Sequence, residues 1–251
     1  MKFWFSFIIS KLNIRGKIIL SVVLIGIVAG GLGTTAYLIF REAPATIDPN
    51  NISFLALGDS YTIGESVPTS DSWPFQLRDL ATNRDLNITK MDIIAKTGWT
   101  SHDLLQNVLT TQVNSTYDIV ALLIGVNDQF QGILPEIYES NFTILLNFAS
   151  SLTYGYQNVI IISIPDYSLS PAICGCAKII TQQEIDALNQ INRHASSQMG
   201  TRYVDITRIT RYEGLDSSMY ADDQLHFSGK MYDLWAQEIL ETIETMVMKK
   251  I

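Results

Sequence analysis

From residue 52 onward, short β-branched apolar runs alternate with longer stretches in which apolar residues recur every three to four positions. The runs at 52–57, 91–95, 119–124, 159–164 and 202–206 are too short for helices and too rich in Val and Ile, so they read as strands. The stretches 73–82, 101–109, 136–152, 182–199 and 228–246 carry the helical period. Thr100 and Asp103 stand at the spacing of a capping box in front of the second of these. Parallel neighbours need a crossover, and a helix follows each strand. The pattern therefore predicts a three-layer α/β domain whose parallel sheet of five strands is covered on both faces.

Ahead of this domain the pattern changes. Residues 18–40 hold no charged side chain, and a helix of that length, rising about 1.5 Å per residue, crosses a hydrocarbon core of roughly 30 Å. The segment reads as a single transmembrane helix or uncleaved signal anchor. Lys2, Lys11, Arg15 and Lys17 precede it, which puts residues 1–17 in the cytoplasm and the rest outside. Residues 41–51, with Pro44 and Pro49, read as a linker, and residues 52–251 as the folded domain. The alternative is a cleaved signal peptide and a secreted or periplasmic protein, but the run exceeds the roughly 7–15 residues of an ordinary signal core. Gly26 and Gly30 form a G-x-x-x-G, a spacing also common in membrane helices that do not dimerise; the oligomeric state stays open.

Composition narrows the function by exclusion. A chain of 251 residues, 47% of them hydrophobic, can bury one core of ordinary size. Its net charge is −8 although the first seventeen residues carry four basic groups and no acidic one, so the domain offers no basic face to nucleic acid. Cys174 and Cys176 flank Gly175, and a bridge between them would close a small, strained ring. Two thiols alone do not make a structural zinc site, and no H-E-x-x-H occurs, so neither metal nor cofactor is expected. Asn-x-Ser/Thr triplets begin at Asn51, Asn87, Asn114 and Asn141, and accept glycans only on a eukaryotic secretory route.

In a parallel sheet, functional groups gather at the carboxyl ends of the strands. The first strand runs into Gly58-Asp59-Ser60-Tyr61, a serine at a tight turn. The second leads to Thr97-Gly98-Trp99-Thr100, whose glycine allows close backbone approach, and the third to Gly125-Val126-Asn127-Asp128, whose amide is a neutral donor. Asp223-Gln224-Leu225-His226 follows the fifth, and an aspartate three residues before a histidine can turn back to hold one ring nitrogen. Each block alone is ordinary turn or cap chemistry. His102 and His194 read as helix-surface residues.

The four blocks together, in this order, resemble the SGNH hydrolases, also called the GDSL esterase and lipase family. Tyr61 stands where that family usually has leucine. Residues 56–65, with Trp73-Pro74 and Ile164-Pro165-Asp166, are similar to a bacterial lysophospholipase-like branch. The resemblance spans about residues 54–244 and implies a flavodoxin-like sheet and hydrolysis of acyl esters without metal or cofactor. In that reading Ser60 is the nucleophile, His226 the general base and Asp223 its orienting partner. Ser60, Gly98 and Asn127 supply the oxyanion hole, and Tyr61, Trp99, Phe130, Tyr167 and Phe227 are candidates for substrate contact. The partner is then a small-molecule, lipid or glycan acyl ester. Removal of acetyl groups from a cell-envelope glycan is an alternative within the same chemistry, and a non-catalytic membrane-anchored binding module an alternative outside it.

Overall fold

The computed structural model describes residues 46–248, except 112, 114, 174 and 176. The membrane helix expected at 18–40, the segment before it, the first part of the linker, Asn114 and both cysteines lie outside the described residues. Among the described residues, no helix is long and apolar enough to cross a membrane.

In chain order the elements are β1 (Ile52–Gly58), α1 (Ser60–Ile63), α2 (Trp73–Thr82), β2 (Ile88–Ala95), α3 (Ser101–Thr110), β3 (Ile119–Leu123), α4 (Val126–Phe130), α5 (Pro135–Ser151), β4 (Val159–Ile162), α6 (Lys178–Met199), β5 (Arg202–Val204), α7 (Thr207–Glu213) and α8 (Gly229–Met248). The strands form one parallel sheet in the order β2-β1-β3-β4-β5. Crossovers of one hand run outward from β1 to β2 and then reverse through β3, β4 and β5, which sends the helices to opposite faces. In one layer α2 packs on α8; in the other α3, α5 and α6 pack in succession. The reversal lies between β1 and β3, the place where such sheets open a crevice.

Every residue of β3 is fully buried, as expected of a central parallel strand. Beneath the α2–α8 layer, Phe54 meets Trp73 edge-on at 6.3 Å between ring centroids, and Trp235 meets Tyr232 at 5.0 Å. The capping box is present: Thr100 Oγ1 accepts from the Asp103 N–H while the Asp103 carboxylate accepts from the Thr100 N–H.

Several boundaries differ from the sequence pattern, each for a local reason. β4 and β5 stop short of 164 and 206 because side chains take over their backbone groups. Asn189 bonds both the N–H and the C=O of Ile164, and Ser163 Oγ accepts the N–H of Ile206. β2 begins at Ile88, paired with Ile52, since its half-buried residues hide the alternation that would mark the start. Helix α7, which carries no long amphipathic repeat, was absent from the pattern. The end of the linker is not free: Pro49 O accepts from the Asn87 N–H at 2.7 Å and Ile47 packs on the core.

Candidate active site

Glycine at 58 lets β1 end against β3. A Cβ there would lie 2.5 Å from the Leu123 carbonyl oxygen and 2.1 Å from Thr62 Oγ1. Asp59 then caps α1 by accepting the Tyr61 N–H at 3.0 Å, and Ser60 becomes the first helical residue at the carboxyl edge of the sheet.

His226 reaches Ser60 from a loop after β5 that is closed as a small antiparallel hairpin. Tyr220 and Phe227 form its bridge, their rings stacked at 5.2 Å, and Ala221 N donates to His226 O. At the turn, Asp223 folds back so that its Oδ1 accepts the N–H groups of Leu225 and His226, both at 2.9 Å. Its Oδ2 lies 2.6 Å from His226 Nδ1, and His226 Nε2 lies 3.0 Å from Ser60 Oγ. A carboxylate at Nδ1 selects the tautomer protonated there, which leaves Nε2 to accept the serine proton. Burial raises the pKa of Asp223, but hydrogen bonds from Ser66, His226 and the two backbone N–H groups outweigh it and hold the carboxyl well below the usual range.

Gly98 and Asn127 face the same edge. Gly98 has φ +79°, and among the described residues neither its N–H nor that of Ser60 has a hydrogen-bond partner. Asn127 Nδ2 donates one hydrogen to Trp99 O at 3.0 Å, leaving the other to point elsewhere. Asp128, fully buried, accepts the N–H and the hydroxyl of Ser101 at 2.7 and 2.5 Å and so pins the start of α3 behind Gly98. Burial raises its pKa against the pull of those two bonds. Asp59, fully buried as well, is pushed up to about 7 by desolvation and by the nearby charge of Asp128, against the Tyr61 N–H bond. Its Oδ2 has no partner.

The five aromatic candidates separate. Phe130 is 67% exposed, at the end of α4, and Trp99 is half-buried beside Gly98. Tyr61, Tyr167 and Phe227 are not surfaces for substrate, contrary to expectation. Tyr61 lies under the imidazole at 5.2 Å and packs on Phe227 and Trp235, forming the floor that supports His226. Tyr167 is buried with its hydroxyl bonded to Gln129. Trp73 is core but Phe75 is only half-buried, under the Arg78 guanidinium. His102 and His194 are exposed, away from any such constellation. Asp166 is buried and ion-paired to Arg211 at 2.6 Å. Sequence reasoning passed over Ser66, whose hydroxyl donates to Asp223; one serine in a loop carries no signal of such a contact. Among the described residues, no group of three or more His, Cys, Asp or Glu side chains is placed to hold a metal.

Residues 56–234 match the model of the GDSL-like Lipase/Acylhydrolase family. The chain belongs to this family. As a GDSL-like hydrolase it is a serine ester hydrolase. Solved structures share the fold: TesA at 17% identity, covering 77% of this chain and 99% of its own, with TM-score 0.63. A lipase/acylhydrolase from Enterococcus faecalis is 19% identical, covering 78% and 96%, with TM-score 0.62. A variant of Axe2, an acetyl-xylooligosaccharide esterase from Geobacillus Stearmophilus, is 17% identical, covering 78% and 95%, with TM-score 0.62. A sequence comparison with curated proteins gave no match.

Proposed function

We propose that this GDSL-like hydrolase cleaves acyl esters through an acyl-enzyme on Ser60, with His226 as base and Asp223 as the residue that orients it. The observation that supports this is the unbroken relay from Asp223 Oδ2 to His226 Nδ1 at 2.6 Å and from Nε2 to Ser60 Oγ at 3.0 Å. A serine hydroxyl is a weak nucleophile at neutral pH, and a neutral imidazole within hydrogen-bond reach removes its proton as attack proceeds. The N–H groups of Ser60 and Gly98 and the free hydrogen of the Asn127 amide receive the developing oxyanion. His226 then protonates the departing alkoxide and activates the water that frees the acid.

A lipid ester such as a lysophospholipid is the substrate class we favour, because Phe130 presents an exposed ring three residues after Asn127. The branch similarity in residues 56–65 points the same way. We further propose that residues 18–40 anchor the chain and hold this domain outside the cytoplasm, a reading that rests on the charge pattern alone.

The test is a panel of aryl esters of increasing acyl length, beside a lysophospholipid and acetylated sugars. Ser60→Ala abolishes turnover and labelling by a fluorophosphonate probe, and His226→Ala does nearly as much damage. Asn127→Ala keeps labelling and loses about 10²–10³ in turnover. Adding His226→Ala to Ser60→Ala changes little, because the two act as a unit. A folded Ser60→Ala protein that cleaves esters at the wild-type rate defeats the mechanism, and acetylated sugars outrunning every longer ester would reassign the substrate to a glycan. Protection of the domain from protease on intact cells would remove the anchor as drawn.

A further inference from the structure

Ser66 lies six residues beyond the nucleophile and is exposed, yet its backbone has φ +64°, in the left-handed region. Non-glycine residues avoid that region because Cβ meets the following carbonyl, and where one persists the surroundings hold it there. Here the surroundings are visible. Gly64 N and Glu65 N both donate to the carbonyl oxygen of Ser60, at 3.1 and 3.0 Å, so the chain doubles back from the nucleophile. The Glu65 carboxylate then accepts the hydroxyl of Thr97, the neighbour of Gly98. Ser66 Oγ turns the other way and donates to Asp223 Oδ2 at 2.6 Å, within the range of a charge-assisted hydrogen bond.

That oxygen is the one that meets His226 Nδ1, also at 2.6 Å. The other oxygen, Oδ1, is tied down by the Leu225 and His226 N–H groups of its own turn. The carboxylate is thus held at one oxygen by its own loop and at the other by a residue 157 positions away in the chain. Without Ser66, no other described residue outside the 223–226 turn bonds Asp223, and the plane of the carboxylate is set from one side only.

We infer that Ser66 is a positioning residue for ester hydrolysis: its hydroxyl aims Asp223 Oδ2 at His226 Nδ1 and takes up part of the carboxylate's charge, coupling the segment after the nucleophile to the Asp-His loop. The inference rests on the reading of Ser60, His226 and Asp223 as the catalytic relay. The left-handed backbone is the conformation that brings the hydroxyl to this oxygen, which accounts for a serine at a site that glycine would occupy without strain.

Ser66→Gly makes a clean test, because it removes the hydroxyl while relieving the backbone. It should fold with wild-type stability or better and lose about tenfold in kcat, the worth of one hydrogen bond to a charged group, with KM little changed. Asp223 then has one donor fewer, so its charge weighs more on the imidazolium. The acid limb of the kcat/KM profile moves to higher pH, a displacement that a loose loop alone does not produce. Ser66→Ala should match Ser66→Gly in kcat and pH profile while being less stable, since alanine keeps the left-handed strain without the hydroxyl. The Nδ1 proton of His226, followed by its low-field NMR signal, should move in both variants. Wild-type kcat with an unmoved acid limb in Ser66→Gly overturns the inference, as does a defect confined to Ser66→Ala, which would be strain alone. Ser60→Ala separates the two levels: if it is dead while Ser66→Gly is normal, only the role of Ser66 fails; if it is active, the relay itself fails.

Discussion

Two glycines at the catalytic edge share a positive φ but differ in what surrounds them, and substituting each with alanine separates strain from crowding. Gly98, at φ +79°, has nothing within 4 Å of where a Cβ would stand. Gly125, at φ +128°, would place that atom 2.6 Å from Ile164 Cδ1 and 2.9 Å from both Cε2 and Oη of Tyr138. Neither neighbour can yield cheaply. Ile164 is fully buried, which confines the end of its side chain, and the Tyr138 hydroxyl is buried 3.0 Å from Ile124 O and 2.8 Å from Asn192 Oδ1. Gly98→Ala should then lose only the left-handed cost, about 1–2 kcal/mol. Gly125→Ala adds overpacking of about 1–3 kcal/mol, for a loss of about 2–5 kcal/mol in all. Urea unfolding at constant m-value measures both, and each 1 kcal/mol should lower Tm by roughly 2–4 °C in a domain of this size. If the proposed mechanism holds, turnover should fall in both variants, because it assigns an oxyanion donor to the Gly98 N–H and another to Asn127, two residues after Gly125. If Gly125→Ala is destabilised no more than Gly98→Ala, the close contacts around Gly125 do not constrain the molecule and the account of this turn is wrong.

Asp59 gives a pH-dependent prediction. A carboxyl with a pKa of about 7 when folded and 3.8 as its ordinary value binds its proton more tightly in the folded state, so its stabilising effect is full below about 3.8, declines as pH rises, and is gone above about 7. Asp59→Asn keeps the acceptor for the Tyr61 N–H and cannot ionise, so across that interval it should gain on the wild type by roughly 1.4 kcal/mol per pH unit in urea melts; a stability difference independent of pH would contradict the buried-acid reading. Arg211→Met should destabilise by roughly 3 kcal/mol, because it leaves buried Asp166 without its cation, and adding Asp166→Asn should restore part of the loss. An Arg211→Met protein as stable as the wild type would mean that Asp166 is solvated by other means.

The architecture was legible because its signals are local and repeated. Trp73–Thr82 has the same limits in the pattern and in the structure, since Pro74 in the first turn and the amphipathic spacing leave no other register. The juxtaposition of Ser60, Asp223 and His226 was legible for a different reason: the Ser60, Gly98 and Asn127 blocks follow directly on β1, β2 and β3, and Asp223 and His226, in a loop beyond α7, are near enough in sequence for their turn to be read directly. What could not be read depends on contacts between distant segments. Ser66 meets Asp223 across the fold, and Asp128 meets Ser101 between the ends of β3 and β2. Composition misled on the aromatics as well. Tyr61 and Phe227 adjoin Ser60 and His226 in sequence, but both rings are buried, Tyr61 against the imidazole and Phe227 against Tyr61, and these two form the floor beneath it.

Three aspartates serve this edge, and their surroundings divide the work. Among the described residues Asp223 has four donors within hydrogen-bond distance, which hold its pKa well below the usual range; on the proposed mechanism that charge balances the positive charge His226 acquires during attack. Asp128 gives both oxygens to Ser101 and acts on the scaffold behind Gly98. Asp59 adjoins Ser60 in sequence, where, on the proposed mechanism, a full negative charge would oppose an oxyanion gathering on the Ser60 N–H. Burial, with Asp128 as a neighbouring charge, supplies the remedy by lifting its pKa to about 7, so that the carboxyl is largely neutral at mildly acidic pH while still accepting the Tyr61 N–H that begins α1. On the proposed mechanism the same residue type is thereby a charge where the imidazolium needs one and an uncharged helix cap where the oxyanion forms, distinguished by the number of donors, the depth of burial and the neighbouring charge of Asp128.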